Sequence, residues 1–475
     1  MESSSSLPKV DRTALRTKLL AEFERTVDEV IDAVDNAPLG HVVRDSEEPA
    51  RVVLDRFRAV VYEGALQAKV DTAEAAFPPP KSAATGKRLR HKGRQTYSLL
   101  TVNGRVHVRR IRWHDEHEGS QTPLDRVLDE AEQAISEGVR EMACRLNRAA
   151  TSFEQTAENL ARTAHLDVCK ETLRQLVEQE GRNVLEAQRR GELAPDWQAD
   201  ECRTDSGATR VYLGADGVMV PLITDEEKQK RRKHIKEKRG RCGKKCRPLP
   251  ARKTGADQAY KEFKVVVFYD EEQKRRYVAG TSGDHAVAGR MMQRMATQIG
   301  LEHAQEKIGN VDGSPWIRNE IELYGLVDAL GLDYYHLREY VQKTRLAIYG
   351  QNDHVGEAWR DEIMGLFYEQ GYDATWERLI PWRGSLRGAK RVAADQLIGY
   401  IAERREMIRY PDFRGRGWQI GSGPTEAQCG TSTQRIKGRG RRWDRRNAEA
   451  IMALDCLESS HAWNQYWTTL ATSRN

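Results

Sequence analysis

The sequence predicts a mixed α/β domain preceded by a mainly helical N-terminal region. Three observations predict it. Apolar residues recur at helical spacing along the first third of the chain. From Arg210 the pattern changes to short strand-like runs, first strands alone and then strands alternating with helices. A helical block without strand signal then separates the last strand from the C-terminal segment. At 475 residues the chain has room for roughly two to four domains.

The first elements are packing or dimerising helices, Leu15 to Val34 (Leu19, Leu20, Phe23, Val27, Val30, Ile31, Val34 at helical spacing) and Val52 to Ala76. Pro78, Pro79 and Pro80 end the pattern. A basic segment, Lys87 to Lys92, leads to Thr101 to Trp113, which alternates like a hairpin around Asn103-Gly104. Leu124 to Ala187 reads as continuous helices. Within it Ser152 suits a helix cap, with Phe153, Ala157 and Leu160 inward. A turn through His165-Leu166-Asp167-Val168 precedes Lys170 to Val177, with Leu173 and Leu176 inward. This is helix-turn-helix spacing with Lys170, Thr172, Arg174 and Gln175 outward; a plain helical hairpin is the alternative.

Val211-Tyr212-Leu213 runs to Asp216-Gly217, and Val218-Met219-Val220 continues outward. Further strands are expected at Phe263 to Tyr269, at Arg276 to Ala279 and up to Val311-Asp312. A helix is expected from Asp284 to Ile299 with Ala286, Met291, Met292 and Met295 inward, and another from Trp316 to Gly325. Leu332-Asp333-Tyr334-Tyr335-His336 reads as a short strand passing into a helix. Strands first and alternation later predict a sheet that is antiparallel at its start. Val341 to Tyr410 is helical and rich in Trp and Arg, and no internal repeat is found.

Charged residues make up 31% of the chain and the net charge is only +6, so local clustering carries more information than the total. Seven Cys without disulfide-like spacing, and no apolar stretch behind Met1 to Ser6, predict a reducing cytoplasm, with the protein on the nucleoid. No run approaches the roughly 20 apolar residues that span a bilayer, so no membrane partner is expected.

Three carboxylates stand in settings that suit metal chemistry: Asp216 in Ala-Asp-Gly, Asp312 in Val-Asp-Gly, and Glu426 in Gly-Ser-Gly-Pro-Thr-Glu-Ala. Two-metal phosphodiester transfer needs acids that bridge and flank cations roughly 3.5–4 Å apart, one ion activating the attacking oxygen and the other stabilising the leaving oxygen. Mg2+ prefers carboxylate and water oxygens, with substrate phosphate completing its shell. Acids at strand ends are held rigidly, and a following Gly leaves room for ions and DNA. The alternative for each Asp-Gly is a turn. For Glu426 it is a capping box, with Gly423 at the N-cap, Pro424 at the first helical position and Glu426 at the third. Against capping, the same helix face continues through Gly430, Thr433 and Lys437, which leaves space for a metal and phosphates.

Arg435, Lys437, Arg439, Arg441, Arg442, Arg445 and Arg446 surround Trp443 and a single acid, Asp444. The stripe fits phosphate contacts, and Trp443 suits stacking on an unpaired base. Lys228 to Arg252 is denser in charge and reads as a flexible loop that tracks DNA. Its lone Cys242/Cys246 pair, and the lone His114/His117 pair, are weak metal signals without a second pair nearby. His336 suits a support near the acids, with a buried structural His as the alternative.

On these residues the chain resembles bacterial insertion-sequence transposases of the DDE type, closest to the Kra-four group and distantly Mutator-like. The matching pieces are Ala-Asp216-Gly, Val-Asp312-Gly-Ser-Pro-Trp316-Ile, Leu-Asp333-Tyr-Tyr-His336 and Ile-Gly-Ser-Gly-Pro-Thr-Glu426-Ala. Arg435-Ile-Lys-Gly-Arg-Gly-Arg-Arg-Trp443 and Trp463-Asn-Gln-Tyr-Trp467 also match, and the likeness runs from about Leu124 to the C-terminus. Gly430 stands where relatives often carry Lys, and His114-Asp-Glu-His117 with Pro123-Leu124-Asp125 stands where they often carry Cys. The resemblance implies an RNase H-like catalytic core with a helical insertion before the glutamate. It also implies a supporting Asp333-x-x-His336 element.

The expected function is metal-dependent strand cleavage and strand transfer at the ends of an insertion sequence. Asp216, Asp312 and Glu426 hold two Mg2+, or Mn2+ in their place, and Asp333 and His336 support them. Lys170, Thr172, Arg174, Arg435, Lys437, Arg439, Arg441, Arg442 and Trp443 contact double-stranded DNA, both terminal repeats and target. Joining two element ends implies a homodimer or larger on DNA. The expected division is 1–123 helical and basic with a hairpin, 124–195 helix-turn-helix, 196–340 the first part of the core, 341–415 the insertion, and 416–475 the C-terminal part of the core. Rival readings are a structure-directed RNase H-like nuclease or resolvase, and an inactive DNA-binding regulator derived from a transposase.

Overall fold

A computed structural model describes residues 9–473 except 77, 84, 118, 123–133 and 244. Within those residues the chain divides into two compact units, Met1–Val177 with Trp467–Asn475, and Glu178–Tyr466. The start of the predicted helical run at Leu124, and the Pro123-Leu124-Asp125 segment, lie outside the described residues.

In the first unit, α1 (Arg12–Asp35) packs on α2 (Val42–Ala76), with the rings of Phe23 and Phe57 5.7 Å apart. Strands β1 (Arg90–Thr101) and β2 (Gly104–Asp115) form the predicted hairpin, closing at Thr101↔Gly104, and β3 (Gly119–Gln121) adds to β2. The hairpin lies on α2: Val108 packs with Val70 and Ala73, and the Gln67 amide exchanges bonds of 2.7 and 2.9 Å with the Arg109 backbone. Helices α3 (Glu137–Ala149), α4 (Phe153–Ala164) and α5 (Lys170–Arg190) follow. Ser152 caps α4 by accepting from the Gln155 N–H at 3.0 Å, and His165 ends it in the left-handed region at φ 56°. Leu160, Leu173 and Leu176, read as inward, are buried, as is Leu166 of the turn between α4 and α5, while Phe153 and Ala157, also read as inward, are only half-buried.

The second unit is a mixed α/β structure. Its strands are β4 (Arg210–Pro221), β5 (Tyr260–Tyr269), β6 (Arg276–Thr281), β7 (Glu306–Val311) and β8 (Ala329–Leu332), in the order β6-β5-β4-β7-β8. The first three pair antiparallel; β4, β7 and β8 run parallel. Helix α6 (Asp225–Arg241) joins β4 to β5, α7 (His285–Gln298) joins β6 to β7, and α8 (Pro315–Tyr324) joins β7 to β8. Val211, Leu213 and Ala215 of β4 pack with Met291, Met292 and Met295 of α7 and with Ile317 and Ile321 of α8. Beyond β8 come α9 (Tyr334–Tyr349), α10 (His354–Glu369), α11 (Tyr372–Ser385), α12 (Gly388–Ala402) and α13 (Tyr410–Gly415), the helical block read from the sequence. The chain then returns with α14 (Gly423–Lys437), α15 (Arg445–Ser459) and α16 (Trp463–Ser473). Helix α14 contacts β4 and β5, and α15 contacts β6.

Two expectations are corrected. Asp216 is expected to end a strand, with a turn at Asp216-Gly217 as the alternative, and neither holds: β4 passes through both residues, which pair with Val265 and Lys264 of β5, and ends at Pro221. The interior of a sheet satisfies their backbone groups better than a turn would. Lys228 to Arg252 is not a loop throughout, because Asp225–Arg241 is helical. Thr224 and Glu227 make a reciprocal capping box of 3.3 and 2.9 Å. Acids crowd the first turn and Lys238, Arg239 and Arg241 the last, complementing the helix dipole at both ends. The density of positive charge read as loop is compatible with helix once its ends are matched this way.

The sheet and α14 approach so closely that a Cβ built on Gly214 overlaps the Thr425 side chain, whereas Gly430 on the same helix faces open space. Gly214→Ala is therefore expected to lower stability by about 1–3 kcal/mol through overpacking. Gly430→Ala is expected to raise it by about 0.5–1 kcal/mol through helix propensity. Paired thermal melts check the contrast; equal effects would mean that α14 is not seated on β4.

Candidate metal centre

Strand register brings three acids level. The β4–β7 pairing ends at Leu213↔Gly309, and three residues on from each (213 + 3 and 309 + 3) stand Asp216 and Asp312. The β7–β8 pairing ends at Val311↔Leu332, one residue before Asp312 and Asp333. Neighbouring strands lie about 4.8 Å apart. Asp216, Asp312 and Asp333 therefore continue one row across three parallel strands, and β7 and β8 end there.

Burial raises the Asp216 acid above the usual carboxylate value, and the charge of Asp312 raises it further, while His336 lowers it. The Gly217 N–H donates to Asp216 Oδ1 at 2.6 Å, and the Cys429 thiol also hydrogen-bonds to this carboxylate. Burial and the Asp216 charge together keep Cys429 a thiol, its acidity pushed far below that of a free cysteine. Asp312 folds its own turn: Oδ1 accepts from the Ser314 N–H at 2.8 Å and Oδ2 from the Ser314 hydroxyl at 2.7 Å. The intervening Gly313 has φ +86°, and its carbonyl accepts from Arg404 Nη2 at 3.0 Å. Arg404 in turn lies 4.1 Å over the Tyr400 ring of α12. The helical block thus braces the loop that carries Asp312.

Asp333 is fully buried and joins two helix starts. Its Oδ1 caps α9 by accepting from the His336 N–H at 2.8 Å, and its Oδ2 accepts from the Ser422 N–H at the start of α14. The Tyr334 N–H donates to the Ile420 carbonyl at 2.9 Å beside it. This joint sets His336 against Glu426, with Nε2 and Oε1 3.4 Å apart. Ligand atoms of Asp333, His336 and Glu426 all lie within 4.8 Å of one another. The capping-box alternative for Glu426 does not hold. Ser422 is the N-cap, Glu426 comes one residue too late, and no side-chain cap bond forms.

A metal fits this donor set. In the group whose ligand atoms lie that close, Asp333 and Glu426 offer hard carboxylate oxygens and His336 one nitrogen, and among the described residues Asp216 and Asp312 fall outside it. Among the described residues no Lys or Arg forms an ion pair with any of them, and the crowding felt by Asp216 is what a bound cation would relieve. The lone pairs Cys242/Cys246 and His114/His117 fall in no group that could hold a metal among the described residues.

The basic residues divide. Lys437, Arg439 and Arg442 are exposed. Arg435 is 3% exposed and Trp443 8%, with the guanidinium 5.2 Å over the indole ring. Burial lowers the Arg435 acid to about 10. Neither side chain is presented to DNA, and the predicted stacking of Trp443 on a base is not available in this structure. Trp443 is held because its backbone pairs with Leu222 beyond β4. Arg441 folds back onto the carbonyls of Gln434 and Arg435, at 3.2 and 2.7 Å, capping α14. Thr433, read as part of an open face, is buried and bonds the Cys429 carbonyl. At the start of α5, Lys170 is exposed beside Glu154, Arg174 pairs with Glu171, and Thr172 is half-buried.

Sequence reading missed Cys429, Ser422, Ser314 and Arg404. Cys429 was legible in part, since it lies one helical turn from Glu426. Ser314 was legible as the partner in an Asp-Gly-Ser turn. Arg404 left no local signal.

A family model described as Uncharacterised protein family (UPF0236) matches residues 81–460, and the chain belongs to that family. No curated protein matches it. Among solved structures, the Drosophila P element transposase strand transfer complex is similar over 72% of this chain and 83% of that one, at 9% identity and a TM-score of 0.26. A likeness that weak carries no argument about this chain.

Two expectations follow from the geometry. Glu426→Gln removes a ligand from a half-exposed site and is expected to weaken Mn2+ binding while shifting stability by less than about 0.5 kcal/mol. Asp333→Asn faces a backbone donor with an amide donor, so it is expected to cost about 1–3 kcal/mol as well. Titration calorimetry with melts on both variants separates ligand from joint. The second concerns pH. Asp216 is raised in the folded state, so the metal-free native protein holds more protons than the unfolded chain from about pH 4 upward, and stability falls as pH rises through that window. Asp216→Asn abolishes the loss. Its metal-free stability relative to the parent is expected to rise across the same window; a pH-independent difference would contradict the burial of this acid.

Proposed function

We propose that this member of the UPF0236 family is a DDE transposase that cuts and joins DNA at the ends of an insertion sequence. The observation that carries the reading is the row formed by Asp216 within β4 and by Asp312 and Asp333 just past the ends of β7 and β8, beside the group of Asp333, His336 and Glu426. The strand order, counted in sequence as 3-2-1-4-5 with an antiparallel first half, supports an RNase H-like core. The helices between β8 and α14 support the insertion at 341–415, with 196–340 and 416–475 as the two parts of the core.

Asp216, Asp312 and Glu426 would hold two Mg2+, or Mn2+, beside His336. When bound, such ions activate the attacking oxygen and stabilise the leaving one. The chain's own residues do the positioning. Asp333 keeps both oxygens on backbone N–H groups and so orients His336 and Glu426 rather than acting as a ligand itself. Cys429 and Gly217 hold Asp216, and Ser314 holds Asp312. His336 Nε2 faces Glu426 Oε1 at 3.4 Å, so the ring and the carboxylate are held on one side of the site. Exposed Lys437 and Arg439 suit DNA phosphates, while Arg442 is already paired with Glu227. The α4–turn–α5 segment, with Lys170, Thr172 and Arg174, suits a helix-turn-helix on the terminal repeats, within a DNA-binding region at 124–195. Synapsis of two ends calls for a homodimer or larger on DNA.

The test is an assay of strand cleavage and strand transfer on a duplex carrying the terminal inverted repeats that flank the gene, with Mg2+ or Mn2+. Both products are expected, and Asp216→Ala, Asp312→Ala and Glu426→Gln are each expected to abolish them. Full activity in Asp312→Ala would remove the assignment. Cutting without joining would move it to a nuclease on the same core, and binding without cutting to a DNA-binding regulator.

A further inference from the structure

We propose that α6 and the segment returning from it form a rigid basic arm that grips the phosphate backbone of duplex DNA without reading bases. Helix α6 has no buried residue, so its polar surface serves no packing need of the fold. The returning segment lies back along it: Lys228 Nζ, Arg232 Nη1 and Arg239 Nη1 donate to the carbonyls of Thr254, Pro250 and Arg247 at 3.1, 2.7 and 2.7 Å. Carbonyl partners straighten these side chains and leave the positive charge of Arg232 and Arg239 uncancelled.

The acids that could cancel it are engaged at the root. Asp225 takes Arg252 and the Gly255 N–H, and Glu227 takes the Thr224 N–H and Arg442. Past that turn only Glu237 and Asp257 are acidic before β5 begins. Lys233, Lys236, Lys238 and Arg241 are exposed and make no ion pair among the described residues.

The root also fuses two distant basic runs. The Ile223 N–H donates to the Trp443 carbonyl at 2.9 Å, the Trp443 N–H to the Pro221 carbonyl at 3.3 Å, and Lys228 pairs with Asp444. Exposed Lys437 and Arg439 therefore continue the surface of the arm. Both runs grow from elements that carry acids of the metal centre, β4 with Asp216 and α14 with Glu426.

The partner's class follows from what the arm lacks. No Phe, Tyr or Trp occurs from Asp225 to Ala259, so there is no platform for stacking the bases of a single strand. A 17-residue helix is a stiff rod of roughly 25 Å studded with cations, which suits the regular phosphates of a duplex. The inference rests on the function proposed above only for the DNA being the enzyme's substrate; the test uses no cleavage, so each can fail alone.

The full chain is titrated by fluorescence anisotropy against random-sequence duplex and single-stranded DNA at several salt concentrations. A variant with Lys233, Lys236, Lys238 and Arg241 all changed to Gln is expected to bind duplex at least about 10-fold more weakly near 0.1 M salt. Its log-affinity against log-salt slope should be shallower by roughly 3–4, about 0.9 for each lost phosphate contact. Melting temperature and Mn2+ affinity should match the parent. A second variant on the other half of the surface, Lys437→Gln with Arg439→Gln, should flatten the slope by roughly 2. It keeps the inference testable if the first fails to fold. Unchanged slopes would overturn it and point to an acidic protein as partner. Tighter binding of single strands than of duplex by the parent would overturn the assignment to duplex DNA.

Discussion

The carboxylate of Asp333 is the constraint on which the site depends. A buried charge is tolerable only when paired or fully hydrogen-bonded, and Asp333 meets that demand with backbone N–H groups at the starts of two helices. Each start carries unsatisfied donors and the positive end of a helix dipole, so one carboxylate compensates both. The two helices begin 89 residues apart in the chain, at Asp333 and Ser422. The long helical block between them can vary without moving His336 or Glu426, because the ends of the block are fastened at the same atom pair.

A second buried carboxylate does the same at the other end of the sheet. Glu449 of α15 accepts from the Thr281 hydroxyl, the Ser282 N–H and the Ser282 hydroxyl at 3.0–3.2 Å, and from Arg189 of α5 at 3.1 Å. Close packing then leaves no slack. A Cβ on Gly181 would overlap the backbone of Ala450, and one on Gly214 would overlap Thr425. The C-terminal helices are thus pinned at two polar points and seated through glycines. That is why Glu426, near the end of the chain, meets His336 from its middle at 3.4 Å.

Charge is segregated around this frame. The acids of the centre, Asp216 in β4, Asp312 and Asp333 past β7 and β8, and Glu426 on α14, have no Lys or Arg ion-pair partner among the described residues, and the cations stand outward on α6 and after α14. Placing like charges together is unfavourable unless a ligand of opposite charge arrives, and the function proposed supplies one for each half: cations for the acids, phosphates for the bases. The proposed substrate would bring the two halves together, since phosphate oxygens complete the shell of Mg2+.

Much of this was legible in the sequence. The strand-like runs through Asp216 and up to Asp312, the short strand before Asp333, the helical block and the Ser152 cap all depend on local periodicity and capping chemistry, which neighbouring residues determine alone. Asp312 was legible at its strand end for the same reason, whereas Asp216 lies within β4. What tertiary structure decided was everything set by partners far along the chain. The β4–β7–β8 register makes Asp216, Asp312 and Asp333 one row. Asp333 became a joint only because Ser422 arrives beside it. Trp443 and Arg435 were buried rather than offered to DNA because the segment after α14 pairs with Leu222. Local sequence sets which backbone each residue prefers; which distant group meets it, and whether water still reaches it, is settled only when the sheet closes.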